Sequence, residues 1–221
     1  MIRGLAAILL MAAAALLPSL ARGAEAPDSL TSRDIFCRLQ TPALEILKPS
    51  TRLDMLDYWD ADSVYKATNA LGGVSHIMAL TPDYMKVSVS PVSVYEIKIL
   101  PGKKGRTVMT IYTVGDSVQA PDSSIEFFDA SLRASDPKKY LPTPDLKDFF
   151  DIPKGSITSM KEIREMIPFP TVEYYASADD NNLRARLTVG EFMNTDDYNI
   201  IRLFLKPEIT FVWKDRYKLS R

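Results

Sequence analysis

The chain has 221 residues, of which 46% are hydrophobic and 25% are charged, and its formal net charge is −1. This composition is typical of a globular protein and excludes a disordered or fibrous chain. Because no stretch rich in Lys and Arg is interleaved with aromatic residues, the sequence argues against nucleic acid as a partner.

Residues 1–23 have the pattern of a secretory signal peptide. An arginine precedes an apolar run over Gly4–Leu17, which is too short and wrongly flanked to span a bilayer. Small residues follow, so we expect cleavage after Gly23 or Ala24. Loss of the two arginines changes the formal net charge from −1 to −3, and no later apolar stretch is long enough to cross a membrane. The sequence therefore predicts export, to the periplasm or the extracellular space.

The chain has one cysteine, Cys37, so it can form no intramolecular disulfide. Cys37 lies well downstream of the apolar run, which argues against a lipid anchor at the first mature residue. Its apolar neighbours indicate a small buried side chain rather than a nucleophile.

Five consecutive strands are predicted between Ser75 and Asp129. Each shows apolar and polar residues in alternation or an apolar run, and each ends at a turn signal. Their short connections require antiparallel pairing. The fourth strand is apolar on both faces, which predicts a central position. The predicted strands are His76–Leu80, Tyr84–Ser90, Ser93–Leu100, Arg106–Val114 and Ser124–Asp129.

Helices are predicted before this run, over Thr31–Leu39 and over Thr51–Leu71. Thr51 and Asp54 have the spacing of a capping box, and Leu53, Leu56 and Tyr58 or Trp59 mark an apolar face. Val64, Ala67 and Leu71 continue the helical spacing until Gly72-Gly73 stops it.

The C-terminal third mixes short helices and hairpins. Helices are expected after Thr143-Pro144-Asp145, after the capping box that starts at Ser159, and over Asn194–Leu205. Two hairpins are predicted, Thr171–Ser177 with Leu183–Val189 and Glu208–Trp213 with Arg216–Leu219.

These elements predict an α+β fold, in which a mostly antiparallel sheet of consecutive hairpins packs against several short helices. We expect the C-terminal hairpins to extend the central sheet. Residues 24–221 form a single exported domain in this interpretation, and two closely packed lobes divided near residues 135–142 are the alternative.

Several short sequences together resemble a family of exported proteins from Bacteroidales-type bacteria, whose function is unknown. The resemblance covers roughly residues 50–218 and implies export and this fold, but no catalytic residues. The sequences that carry it are Arg52-Leu53-Asp54-Met55-Leu56-Asp57, Leu71-Gly72-Gly73, Leu80-Thr81-Pro82-Asp83-Tyr84, Leu205-Lys206-Pro207 and Phe211-Val212-Trp213-Lys214-Asp215-Arg216-Tyr217.

Four groups of polar residues invite a functional interpretation, and each has a simpler one. Asp57, Asp60 and Asp62 lack the spacing of a calcium loop and suit a solvated helix face. Asp179–Asn182 suits a hairpin turn better than a calcium site. Arg184 and Arg186 offer an anion site or, more simply, an exposed strand face. The only histidine, His76, follows Ser75 and precedes Asp83, without the Gly-x-Ser-x-Gly turn of a serine hydrolase.

No residue is therefore assigned a catalytic, cofactor-binding or metal-binding role, and no cofactor is predicted. The preferred hypothesis is a non-catalytic exported binding or envelope-associated protein, which would hold an envelope protein or glycan with a sheet face or edge or serve as a structural component of the envelope. A carboxylate-dependent hydrolase of envelope glycan or another polymer is the alternative. The less apolar face of the central sheet, with Lys86, Ser88, Glu96 and Lys98, is the expected place for a binding site.

Overall fold

The computed structural model describes residues 30–103, 105–115 and 120–220, so the predicted signal peptide lies outside the described residues. A large antiparallel sheet contains seven strands that are neighbours in chain order, which confirms the α+β class and the run of hairpins. The five predicted strands are present with ends within two residues of the prediction. The strands are β1 (Ala67–Thr68), β2 (Val74–Leu80), β3 (Tyr84–Ser90), β4 (Ser93–Leu100), β5 (Thr107–Val114), β6 (Asp122–Phe128) and β7 (Ala134–Ser135).

Both faces of the large sheet are covered. Val87 and Tyr95 pack on one face in a first core with the N-terminal helices. Met109, Ile111 and Phe127 pack on the other face in a second core with the C-terminal elements. Successive side chains of a strand point to opposite faces, so an apolar β5 contributes to both cores, as its sequence predicts.

The first face carries α1 (Ser32–Arg38) and α2 (Pro49–Asp60), joined through a 3₁₀ helix over Pro42–Leu44. Thr31 caps α1: its hydroxyl accepts the Asp34 N–H, and the Asp34 carboxylate accepts the Thr31 N–H. This reciprocal capping box fixes the beginning of α1 close to its predicted position.

Arg52 holds this helical layer together. Its buried guanidinium donates hydrogen bonds of 2.7–3.0 Å to the backbone carbonyls of Phe36, Leu39, Leu44 and Leu47. Phe36 and Leu39 lie at the C-terminal end of α1, where carbonyls lack helical partners and carry the negative end of the dipole. Burial lowers the pKa of Arg52, and four carbonyl oxygens replace the water that its charge has lost.

The predicted capping box of the second helix is wrong, and its predicted apolar face is correct for Leu56 and wrong for Leu53. α2 begins at Pro49 with Lys48 as its N-cap, because proline suits the first helical position. Thr51 is therefore inside the helix. The buried face contains Thr51, Arg52, Met55 and Leu56, whereas Leu53 is exposed.

The predicted continuation of this helix to Leu71 is also wrong, since α2 ends at Asp60 and residues 67–68 are β1. Asn69 supplies the physical reason. Its side-chain oxygen accepts the N–H groups of Leu71 and Gly73, and its amide donates to Ser75 and to the Val89 carbonyl. These bonds form a tight turn, and Gly72 takes the positive φ (79°) that the turn requires.

The second face carries a separate antiparallel sheet with strand order β11-β10-β9-β8. The strands are β8 (Val172–Tyr175), β9 (Leu183–Leu187), β10 (Ile209–Trp213) and β11 (Tyr217–Leu219). Both predicted C-terminal hairpins are confirmed, but the expectation that they extend the large sheet is wrong. The N–H groups of Val172 and Tyr174 donate to the side chains of Asp122 and Ser123, so β8 meets β6 without a backbone ladder.

Short helices complete the second layer: α3 (Met160–Met166), α4 (Thr195–Ile201) and 3₁₀ helices over Pro137–Lys139, Leu146–Phe149 and Val189–Glu191. The capping box of Ser159 and Glu162 is confirmed. A short 3₁₀ helix begins after Thr143-Pro144-Asp145 as expected, and its N-cap is Asp145 rather than Thr143. The division of the chain into lobes near residues 135–142 stays a prediction.

None of the helices in the described residues is long and apolar enough to cross a membrane.

Glu96 of β4 joins the two sheets. Its side chain is buried (3% of the residue is exposed) and accepts hydrogen bonds from the Tyr84 hydroxyl at 2.9 Å and the Ala176 N–H at 3.0 Å. Lys86 provides a counter-charge at 3.3 Å. Burial and the neighbouring Glu96 charge raise the pKa of the Tyr84 phenol, which therefore stays a donor.

We expect Glu96→Ala to lower the free energy of unfolding by about 2–4 kcal/mol, because two buried donors and one ammonium group lose their acceptor. Urea unfolding measures this difference. Glu126→Ala is the matched control, since Glu126 is an exposed glutamate of the same sheet. Equal midpoints for the two variants would contradict the role assigned to Glu96.

Candidate functional site

The expected binding face of the large sheet is an internal junction. Lys98 is only 2% exposed, and its ammonium group donates to Asp83 at 2.9 Å. Glu96 is held by Tyr84 and Ala176 as described above, and Lys86 is half-buried beside it. Ser88 is half-buried, and its hydroxyl donates to the Ser90 carbonyl. The second layer covers this face at Glu96, where a ligand was expected.

The two arginines of β9 are paired with carboxylates. Arg184 contacts Asp180 at 2.7 Å and Glu208 at 3.9 Å, and Arg186 bonds to Glu173. Asp180 in turn accepts the Asn182 N–H, so the segment from Asp179 to Asn182 has the bonding of a hairpin turn. These contacts favour the structural interpretation of both groups.

The acidic residues at the end of α2 do not converge. Asp60 accepts two hydrogen bonds from the Arg33 guanidinium, at 2.6 and 2.9 Å. Within residues 30–103, 105–115 and 120–220, no group of three His, Cys, Asp or Glu side chains could hold a metal ion. Asp57 and Asp60 lie in the last turns of α2, whereas Asp62 lies beyond the helix, in the turn that follows it.

Ser75, His76 and Asp83 do not form a catalytic triad. The Ser75 hydroxyl donates to the Val89 carbonyl at 2.6 Å, and Asp83 bonds to Thr81 and Lys98. Cys37 packs against the first core, where burial raises the pKa of its thiol, as fits a structural cysteine.

A cleft of about 340 Å³ lies between the end of α2, the segment 63–66 and the start of β2. We call it the aromatic cleft. Its aromatic rings are those of Tyr58, Trp59 and Tyr65, and the rings of Tyr58 and Tyr65 lie 6.3 Å apart at 49°. The other lining residues are Met55, Ser63, Val64, Lys66, Ser75, His76 and Ile77.

The backbone after α2 places these rings. Asp62 adopts a positive φ of 47°, which turns the chain back along the helix, and the Ser63 N–H donates to the Tyr58 carbonyl. The Tyr65 N–H then donates to the Ser63 hydroxyl at 3.1 Å. As a result Tyr65 is 74% exposed and Trp59 is 39% exposed, at the edge of the first core rather than within it.

His76 contributes a distinctive group to the aromatic cleft. Its Nδ1 atom is buried and has no hydrogen-bond partner among the described residues. Burial, and then the nearby charge of Lys66, lower the pKa of His76 below its ordinary value of 6.5. The imidazole is therefore held mainly in its neutral form at physiological pH.

A second cleft, of about 590 Å³, lies between the segment 138–148 and the hairpin of β10 and β11. We call it the basic cleft. Tyr140, Phe211, Tyr217 and Leu219 are among its lining residues, together with two carboxylates and five cations. The charged residues are Lys138, Lys139, Asp145, Lys147, Asp148, Arg216 and Lys218.

The sequence gives little warning of either cleft. Trp59 and Tyr58 were expected on the buried helix face, and Val64 on its continuation. Lys138 and Lys218 are 80 positions apart, so no local pattern connects them. An excess of aromatic residues between Tyr58 and Tyr65 was the one available signal for the aromatic cleft.

We expect the low pKa of His76 to make stability fall on acidification. Because the folded protein resists protonation of this imidazole and the unfolded chain does not, the unfolded state binds more protons once the pH falls below about 6.5. Urea unfolding between pH ~7.5 and ~5.5 should show a steeper loss of stability for the wild-type protein than for His76→Gln. Equal slopes would show that His76 titrates normally.

Comparisons with known proteins agree with this fold. A domain of an uncharacterised protein from Porphyromonas gingivalis W83 superposes with a TM-score of 0.71 at 19% identity, over 85% of this chain and 96% of that domain. No curated protein matches the chain. The profile of a family described as "Protein of unknown function (DUF3256)" matches residues 28–217, which extends the resemblance noted in the sequence to α1. The chain therefore belongs to the family of proteins of unknown function DUF3256.

Proposed function

We propose that this chain is an exported, non-catalytic binding protein and that its aromatic cleft holds a glycan of the cell envelope. The observation that carries the proposal is the exposure of Trp59, Val64 and Tyr65 around one cleft. Full burial of a large apolar side chain contributes about 1.5–3 kcal/mol of favourable free energy. A ligand that covers these three side chains gains part of that free energy on binding.

A saccharide suits the chemistry of the walls. Sugar rings present apolar C–H faces, which pack on aromatic rings, and a rim of hydroxyl groups, which need polar partners. Ser63, Lys66 and His76 provide polar groups among the aromatic side chains of the cleft. The volume of about 340 Å³ is near the lower end of the usual range for ligand pockets, about 300–1,000 Å³.

Binding is favoured over hydrolysis by the state of the carboxylates. No Asp or Glu is among the described residues that line the aromatic cleft. In the basic cleft, the N–H of Lys147 and then Arg164 lower the pKa of Asp145, whereas a general acid needs a raised pKa. Asp148 accepts the Asp145 N–H at 2.8 Å and is engaged in capping.

Export rests on the pattern of residues 1–23. We expect the full-length protein, expressed in a Gram-negative host, to appear in the periplasmic or extracellular fraction with its N-terminus at Ala24 or Glu25. Fractionation followed by N-terminal sequencing measures this. An intact N-terminus in the cytoplasmic fraction would contradict export.

For the glycan, we expect Trp59→Ala and Tyr65→Ala each to weaken binding at least about tenfold, because each removes one stacking surface. The probes are hexasaccharides of glucose, mannose and N-acetylglucosamine, titrated by calorimetry against the mature protein. Fluorescence gives a second measurement, since the chain has only two tryptophans, Trp59 and Trp213. Phe169→Ala is the matched control, as Phe169 is an aromatic residue outside the cleft and 80% exposed.

Binding of at least one hexasaccharide that is lost in both cleft variants and kept in Phe169→Ala supports the proposal. Failure of all three sugars to bind at millimolar concentration, or an equal loss in the control, would overturn the assignment of this cleft.

A further inference from the structure

The basic cleft concentrates positive charge on a protein whose overall charge is negative. Five cationic and two acidic side chains line it, while the whole chain has a formal net charge of −1. The cations come from two distant parts of the chain, Lys138, Lys139 and Lys147 before the second sheet and Arg216 and Lys218 in its last hairpin. The fold therefore brings together charges that the sequence separates.

None of the five cations of the basic cleft is held in a close ion pair in the part of the chain that the structure describes. Among the ion pairs of the described residues, none within 4.0 Å involves any of the five side chains. Of the two acidic groups of the cleft, Asp145 pairs with Arg164 at 2.5 Å and also interacts with the charge of Lys147, and Asp148 bonds to the Asp145 N–H. Like charges gathered in a concave site raise the local concentration of an oppositely charged ligand.

We propose that the basic cleft binds a flexible polysaccharide that carries sulfate or phosphate esters. Its cations surround a concave volume of about 590 Å³, so an extended chain that enters the cleft reaches both sides of it at once. A flat membrane surface does not fit the concavity as well. Pro142 and Pro144 add apolar contact area between the charges.

An anionic membrane is the strongest competing occupant of the basic cleft. The positions of the exposed apolar side chains argue against it. Peripheral membrane attachment usually combines cations with exposed apolar side chains that enter the bilayer. None of the large exposed apolar side chains of the described residues lines the basic cleft. Charge complementarity without an insertion surface favours a soluble polyanion.

This site is separate from the aromatic cleft, because the two share no lining residue. Loss of binding at one cleft is therefore distinguishable from loss at the other. Trp59→Ala should leave the binding of a polyanion unchanged, and substitutions in the basic cleft should leave neutral hexasaccharides unaffected.

The experiment compares dextran sulfate with uncharged dextran of equal chain length, so that the two probes differ only in charge. We expect the mature protein to bind dextran sulfate and not dextran in calorimetry at low salt. The affinity should fall steeply and linearly on a log–log plot as sodium chloride is raised, because binding releases counter-ions from the polymer.

The double variant Lys138→Glu/Lys218→Glu reverses one cation on each side of the cleft. We expect its affinity for dextran sulfate to fall at least about tenfold, with a shallower dependence on salt. Lys48→Glu/Lys154→Glu is the control with the same change in net charge, since both lysines are exposed and lie outside the cleft. All four positions are on the surface, so circular dichroism should show both variants folded.

Two outcomes would overturn the proposal. The first is an equal loss of affinity in both double variants, which would show that net charge alone attracts the polymer. The second is binding to vesicles of anionic phospholipid without binding to dextran sulfate, which would assign the cleft to a membrane surface. A loss of affinity for dextran sulfate in Lys138→Glu/Lys218→Glu, without a loss in the control, supports the proposal.

Discussion

The arrangement of the layers depends on the buried carboxylate of Glu96. A charge in a protein interior is tolerated only when its oxygens are hydrogen-bonded and its charge is compensated. Tyr84, Lys86 and the Ala176 N–H meet this condition from two different sheets. Because the Ala176 N–H has to reach Glu96, the second sheet has one preferred position on the first. Polar residues of the central strands thus align the layers.

The N-terminal helical layer also contains a buried charge, in this case a positive one. Arg52 is buried, and in the described part of the chain no carboxylate pairs with it. It donates instead to four backbone carbonyls, from α1 and from the segment that leads into α2. This requirement turns α2 so that Arg52, Met55 and Leu56 face the sheet. Trp59 and Tyr58 are then left at the rim, so the packing of the helix creates one wall of the aromatic cleft.

The strands were predictable because their pattern is local. Alternation from Tyr84 to Leu100 and the turn residues between strands determine both strand ends and antiparallel pairing, and the structure confirms them. Capping boxes are equally local. The one at Ser159 was predicted, and the one at Thr31 was not. Helical spacing failed beyond Asp60, because the Asn69 side chain organises a turn that periodicity does not detect.

The site was less predictable, because its determinants are not local. The less apolar sheet face with Lys86, Ser88, Glu96 and Lys98 was expected to hold a binding site, since one face of an antiparallel sheet is often open to water. Only the packing of a second sheet, from residues 80 positions later in the chain, shows that Glu96 is buried. The basic cleft has the same origin, as Lys138 and Lys218 meet through tertiary structure alone.

Each cleft has one wall from a regular sheet and one from an irregular segment. β2 supports the segment 63–66 in the aromatic cleft, and the hairpin of β10 and β11 supports the segment 138–148 in the basic cleft. Binding residues are often placed this way, on loops held by a rigid scaffold, because loops vary without disturbing the core. The domain from Porphyromonas gingivalis has a similar fold at 19% identity, so most side chains differ on a similar scaffold. A shared fold carries no activity from one protein to another. The two binding proposals therefore rest on the side chains that line the clefts of this chain, and substitution of those side chains is what decides them.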